Sequence, residues 1–286
     1  MKLRTSFLLL TSVVLSGVAL ATSQPTSKAP AADEAPPLVF TAPPRESATE
    51  GARLYGPIAS YLSERVGRRI EYRHPGNWLT YQNEMLKGSY DLVFDGPHFN
   101  SWRISHLHHN TLAKIAERHA FVVVVRKTDT RNNDLKDLAG QAVCAMDPPN
   151  LGTLAIQAQF DNPVRQPRLT ATTGWSAIYD GVASGQCAAG ILPLANLDRY
   201  DQRRLTVREI FRTKVLPNQA FSAGPRITAE DQHKIAAALL DPAAKRALQP
   251  LLNAYASTQG LVPAPKDDFD GVDAYLKSVW GFAARK

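Results

Sequence analysis

Little in this chain invites covalent chemistry. It holds two cysteines, Cys144 and Cys187, in 286 residues, too few for a disulfide scaffold and at a spacing that fits no metal or redox motif. It has no Gly-x-Ser-x-Gly elbow, no Walker loop and no Gly-x-Gly-x-x-Gly after its first strand. Those absences remove the common signatures of hydrolysis, P-loop phosphoryl transfer and dinucleotide binding. The basic residues fall in scattered pairs (Arg68-Arg69, Arg126-Lys127, Arg203-Arg204) and never in a run interleaved with aromatics, so the footprint of a nucleic-acid binder is missing. There is no repeat of solenoid period.

What is present begins with an export signal. Lys2 and Arg4 precede a mostly apolar stretch from Phe7 to Leu20, and Ala19-Leu20-Ala21 has the small-x-small form of a cleavage site. The stretch is short and broken by Ser and Thr, which argues against a membrane span, and no Cys lies nearby to carry a lipid. Residues 1–21 therefore read as a cleaved signal peptide and residues 22–36, rich in Pro, Ala and Ser, as a flexible spacer. The expected location is a bacterial periplasm. Loss of Lys2 and Arg4 lowers the basic count from 33 to 31 against 26 acids, a mature charge of about +5. Such a mild excess favours anionic solutes in a general way. In an oxidising compartment two cysteines invite a disulfide, while two separate buried thiols are the other use of such residues.

Strands and helices alternate along the rest. Leu38-Val39-Phe40 reads as a strand, and Leu54, Ile58, Tyr61, Leu62 and Val66 recur at helical spacing up to Gly67. "RIEYR", "YDLVFDGP" and the β-branched "FVVVVRK" read as strands around the helix "WLTYQNEMLKG". The pattern restarts with "QAVCAM", the helix "LGTLAIQAQF", "RLTATT", the helix "WSAIYDGVASG" and "CAAGILP". "LTVREIF" and "NQAFSAGP" read as extended, and everything beyond, including "DDFDGVDAYLKSVWGFA", as helical. Two successive βαβαβ halves predict two doubly wound α/β lobes. Their solute belongs in a central cleft, beyond the carboxyl ends of the strands.

The segment "HFNSWRISHLHHN" holds His98, His106, His108 and His109. No Glu stands in a zinc-protease arrangement, so a solvated, His-rich helix end is the expectation, with no metal and no cofactor.

The ordered set "SYLSERVGRRIEYRHPGNWLTYQNEMLKGSYDLVFDGPHF", "VVVVRKTDT", "LKDLAGQAVCAMDPPNLGTLAI" and "GWSAIYDGVASGQCAAGILPLANLDRY" resembles the phosphonate-binding group of periplasmic solute-binding proteins from about Pro37 to Pro250. The resemblance implies a type 2 periplasmic-binding fold and no enzymatic activity. It also implies a monomer that closes on a small oxyanion or zwitterion, phosphonate- or phosphate-like, and delivers it to an inner-membrane ABC permease. In that group a helix start rich in Ser and Thr holds the phosphonate through amides and hydroxyls. The matching residues here are Asn150, Leu151, Gly152 and Thr153, which keep the amides and lose most hydroxyls. A cleft tyrosine of the group matches Asp95, a His matches Trp175, and a Glu falls near Ala195.

The expected ligand set adds His98 from the first lobe, Gln219 from the returning crossover, and Arg45 with Ser47 from the loop after the first strand. The competing roles are a turn cap at Gly96-Pro97 for Asp95 and a core position for Trp175. Iron or copper held by Asp95, His98 and a tyrosine, or presentation of the ligand to a membrane kinase, are the alternative functions. Lobe 1 is expected over 37–126 and 217–286 and lobe 2 over 127–216, with crossings near Lys127–Asp129 and Arg212–Leu216 that absorb closure. The strand order implied by the resemblance makes the strands of Cys144 and Cys187 neighbours, and a bond would close a loop of about 43 residues (187 minus 144).

Overall fold

The computed structural model describes residues 36–282; the expected signal peptide and all of the spacer but Pro36 lie outside them. Among the described residues, no helix is long and apolar enough to cross a membrane. The first sheet contains β1 (Leu38–Thr41), β2 (Ile70–Tyr72), β3 (Leu92–Asp95), β4 (Asn110–Ile115), β10 (Ala220–Ala223) and β11 (Leu261–Pro263), in the order β11-β4-β10-β3-β1-β2. The second contains β5 (Phe121–Arg126), β6 (Ala142–Ala145), β7 (Arg168–Ala171), β8 (Ala189–Pro193) and β9 (Val207–Arg212), in the order β7-β6-β8-β5-β9. β1, β2 and β3 pair in parallel, as do β6, β7 and β8, whereas β10 and β5 run antiparallel to their neighbours.

Local chemistry explains the elements. Helix α1 (Ala48–Val66) starts where the Ser47 hydroxyl accepts the Glu50 amide and stops at Gly67, which takes a left-handed φ of 73°. Its buried stripe of Leu54, Ile58, Leu62 and Val66 covers the first sheet. The remaining helices are α2 (Trp78–Leu86), α3 (Pro97–Leu107), α4 (Leu151–Gln157), α5 (Trp175–Ala183), α6 (Leu194–Tyr200), α7 (Ala229–Leu240) and α8 (Lys245–Ala254). One apolar cluster lies under the first sheet and another, built on Val122–Val125, under the second.

Three sequence expectations change. The run over Phe121–Arg126, expected in lobe 1, is β5 of the second sheet, hydrogen-bonded to β8 on one side and β9 on the other. A strand buried along its length needs partners on both edges, and only the second sheet offers them. The first crossing thus spans 116–120 instead of 127–129; the second spans 213–219, overlapping the expected position. The C-terminal stretch expected as helix contains β11 and short 3-10 turns, because Gly271, at φ 70°, breaks the helical path. β4 pairs with β10 and β11 although its short sequence carries no strand alternation.

Cys144 and Cys187 are bonded, with Cα atoms 5.7 Å apart. Cys144 lies in β6, but Cys187 sits in the turn just before β8, so the bond avoids the unfavourable geometry of two facing positions on parallel strands. Gly181 makes room, since a Cβ there would stand 2.7 Å from the Cys144 sulfur. Thiol titration of denatured, unreduced protein should find no free thiol; two would refute the bond.

Candidate functional site

The two sheets are joined by a two-stranded ribbon. His119 and Leu216, one on each crossing, exchange backbone hydrogen bonds of 2.9 and 2.8 Å. Thr213 and Phe121 continue the pairing into the second sheet, and Ile115 and Gln219 into the first. A narrow antiparallel ribbon between two compact bodies is a hinge.

Away from the hinge a cleft opens between the loop after β1 and the segment between β7 and α5. A cavity of about 770 Å³ lies there, with Arg45, Ser47, Gly174, Trp175 and Ser176 in its wall. A second, of about 550 Å³, is bounded by Glu46, His74, Trp78, Asp147 and Thr173. Arg45, Glu46, Ser47 and Thr173 border both.

Arg45 is 3% exposed. Its Nε donates to the Tyr255 hydroxyl at 2.6 Å, its Nη2 donates to the Phe94 carbonyl at 3.3 Å, and the guanidinium lies 5.6 Å from the Tyr255 ring centre. Burial works against its charge, but Tyr255, Tyr55, Glu46 and Asp95 around it more than offset that cost and hold it protonated. Beside it, burial pushes the Glu46 carboxyl up to about 7, against the lowering effect of Arg45 and of the Tyr55 hydroxyl, which donates at 3.4 Å. Across the cleft, α5 begins at Gly174, whose φ of 92° only glycine adopts readily and which has no side chain to cap the helix. The amides of its first turn therefore face the cavity without a side-chain acceptor, the arrangement that attracts an anion.

Helix α4, expected to be the anion seat, is closed. The Asn150 side chain accepts the Gly152 amide at 3.0 Å and the Thr153 hydroxyl donates to the Met146 carbonyl at 2.6 Å. Asn150, Leu151, Gly152 and Thr153 are all buried, and the Phe121 ring lies so close over Gly152 that a Cβ there would be 2.5 Å from it. Its first turn is an ordinary capped start that borders neither cavity. Asn150→Ala should cost about 1 kcal/mol of stability and leave solute affinity within about twofold, read by thermal melts beside calorimetry.

Asp95 is fully buried, and its Oδ2 accepts from Tyr81 Oη at 2.5 Å and Arg103 Nε at 2.8 Å. It caps no turn and borders neither cavity. His98 Nε2 meets the Pro149 carbonyl across the lobes at 2.9 Å; burial holds this ring's pKa down to about 3, so it is neutral and donates from Nε2. His106 and His108, at the end of α3, are exposed as expected, whereas His98 and His109 are buried; His109 Nδ1 lies 3.3 Å from the Ser222 hydroxyl, inside the first lobe. Gln219 is buried at the hinge with its Oε1 unpaired. Among the described residues no three His, Cys, Asp or Glu side chains gather as a metal would require.

Of the expected residues, the structure brings Arg45, Ser47 and Trp175 to the open cavity. The Phe121 ring links Trp175, at 6.2 Å between centres, to Gly152 and to His119. Glu46, Thr173, Ser176 and Tyr255 were not anticipated. Glu46 had a local signal, a charged pair just before a helix cap; Tyr255, 210 residues from Arg45, had none.

Two α/β bodies, a paired hinge and a cleft with a buried cation define a two-lobed solute-binding protein. The family described as ABC transporter, phosphonate, periplasmic substrate-binding protein matches residues 40–269, and the chain belongs to it. No curated protein matches the sequence. PhnD1 from Prochlorococcus marinus, in complex with methylphosphonate, is similar at 15% identity, with a TM-score of 0.66 over 84% of this chain and 97% of that one. A binding protein component of an ABC phosphonate transporter from Pseudomonas aeruginosa gives 14%, 0.64, 82% and 83%. A Xanthomonas citri protein bound to ATP gives 14%, 0.64, 84% and 96%. At these identities the likeness is one of fold. Family membership makes the chain the periplasmic substrate-binding component of an ABC importer, a class that carries solute rather than transforming it.

Proposed function

We propose that the chain is exported by a cleaved signal peptide and acts as a monomer. In this reading it captures a small phosphonate- or phosphate-like oxyanion in the interlobe cleft and hands it to an inner-membrane permease. One observation carries the reading: Arg45, a buried guanidinium, borders a cavity whose opposite wall is the uncapped start of α5. Arg45, Ser47, Trp175 and Ser176 take the solute directly, and Asn150–Thr153, His98, Asp95 and Gln219 form the support behind them. The methylphosphonate of the Prochlorococcus protein and the phosphate groups of the ATP bound by the Xanthomonas protein support an oxyanion as the shared element.

Calorimetry with phosphate, methylphosphonate, larger organophosphonates and sulfate tests the proposal. Binding of at least one phosphorus oxyanion is expected, with loss of binding in Ser176→Pro. That substitution deletes an amide of the first turn at a position where proline is tolerated. No binding by any of the panel, or an unaffected Ser176→Pro variant, would defeat it.

A further inference from the structure

We propose that Asn196 and Arg199 on α6 clasp the end of α8 when the lobes close, and that release of this clasp sets how fast the solute leaves. This rests on the cleft being the solute site.

A helix leaves its last carbonyls without internal partners. At the end of α8 the chain turns through Ala256, at φ 53°, and the amides of Tyr255 and Ser257 return to the carbonyls of Leu251 and Leu252. The Asn253 carbonyl takes the Ala256 amide at 3.1 Å and shares the Tyr255 amide with Leu251. The next lobe supplies more. Asn196 Nδ2 donates to the Ala254 carbonyl at 3.1 Å, and Arg199 Nη1 donates to the Asn253 carbonyl. A cation at this end of a helix is also favoured by the helix dipole.

The placement makes the contact conditional. α6 follows β8 of the second sheet, while α8 packs on the first-sheet cluster. Among the described residues the backbone passes between the two bodies only along the hinge ribbon, and α4 packs against the turn Val272–Leu276; rotating the lobes apart about the ribbon pulls both donors off their carbonyls. Among the described residues only one other hydrogen bond crosses the lobes away from the hinge, that between His98 and the Pro149 carbonyl. Arg199, Tyr200, Asn253 and Ala254 border the 770 Å³ cavity, so the clasp is part of the solute's enclosure. Asn196 is held in place by burial at 1% exposure and by the Tyr200 hydroxyl, 3.3 Å from its Nδ2.

The test compares wild type with Arg199→Ala and with Arg199→Ala/Asn196→Ala by two readouts. One is the radius of gyration without ligand, from small-angle scattering. The other is the dissociation rate of methylphosphonate, from stopped-flow fluorescence. The double variant should open the ligand-free protein or release methylphosphonate about tenfold faster, equivalent to about 1.4 kcal/mol, with association changed less than about threefold. Arg199 is exposed, so the single variant keeps the fold even if the buried Asn196 change lowers the melting point. A larger radius or a faster release supports the clasp; an unchanged radius together with an unchanged release rate overturns it. If wild type binds no methylphosphonate, that bears on the choice of solute alone, and an unchanged ligand-free radius then overturns the clasp.

Discussion

Replacing Arg45 with glutamine is expected to weaken binding of a phosphorus oxyanion by roughly a hundredfold or more, while the protein stays folded. Removing one partner of a buried, hydrogen-bonded charge pair costs about 2–5 kcal/mol, and tenfold in affinity is about 1.4 kcal/mol. Glutamine retains a donor for the Tyr255 hydroxyl, which Arg45 now reaches at 2.6 Å, so the loss falls on the solute. Arg45→Lys should recover only part, since an ammonium lacks the planar fork that meets two oxygens at once. Calorimetry reads both; an Arg45→Gln protein that binds within about threefold of wild type would remove the cation from the site. A pH series belongs with it. Glu46 ionises near 7, raised by burial and lowered by Arg45 and Tyr55. Above that pH its carboxylate faces the cavity as a negative charge, and below it the group is neutral. Relative to Glu46→Gln, wild-type affinity for a phosphorus oxyanion should therefore gain as pH falls from about 8 to about 6, the solute's own second ionisation being common to both proteins.

The second large effect is on stability. Arg103→Met should destabilise the fold by about 3–5 kcal/mol, because it strands a buried carboxylate. Arg103 and Asp95 are both fully buried; Arg103 Nε donates to Asp95 Oδ2 at 2.8 Å and its Nη2 donates to Tyr81 Oη at 3.0 Å. The guanidinium also lies 5.8 Å from the Tyr81 ring centre and 5.9 Å from that of Tyr90, a packing that methionine cannot reproduce. Denaturant unfolding reads the loss. Asp95→Asn/Arg103→Met, which removes both charges, should recover part of it. Solute affinity should change little in either variant. A large affinity loss in a well-folded Asp95→Asn protein would return Asp95 to the binding site and show that its partnership with Arg103 is incidental.

Much of the framework was legible because local chemistry writes it. The stripe from Leu54 to Val66 with Gly67 behind it, the turn residues between strands, and the run over Phe121–Val125 each report a periodicity or a cap that neighbouring residues impose. The same run misled on membership. Its composition declares a strand buried on both faces, yet nothing within it states which sheet supplies the partners. β4 and β11 were missed for a related reason: short edge and near-edge strands hold their shape by pairing with residues over a hundred positions away rather than by their own pattern.

The site divides along the same line. Arg45 and Ser47, expected from the loop after the first strand, and Trp175, expected from its match to a His of the resembled group, border the 770 Å³ cavity. Asn150, matched to the anion seat of the group, is the cap of α4. Whether that cap left amides free for a solute depended on Phe121, which is distant in sequence and covers Gly152. Whether Asp95 faced a solute depended on Arg103 and Tyr81 arriving inside the lobe to claim it. The sequence by itself therefore determined the alternation of strands and helices, the family and the helix starts, all of which follow from short-range patterning. Only the tertiary structure decided which helix start stays open, which charges are neutralised internally, and how α6 reaches the end of α8. Those outcomes turn on burial and on partners brought together across the hinge, and a buried charge or amide takes its role from what packs against it.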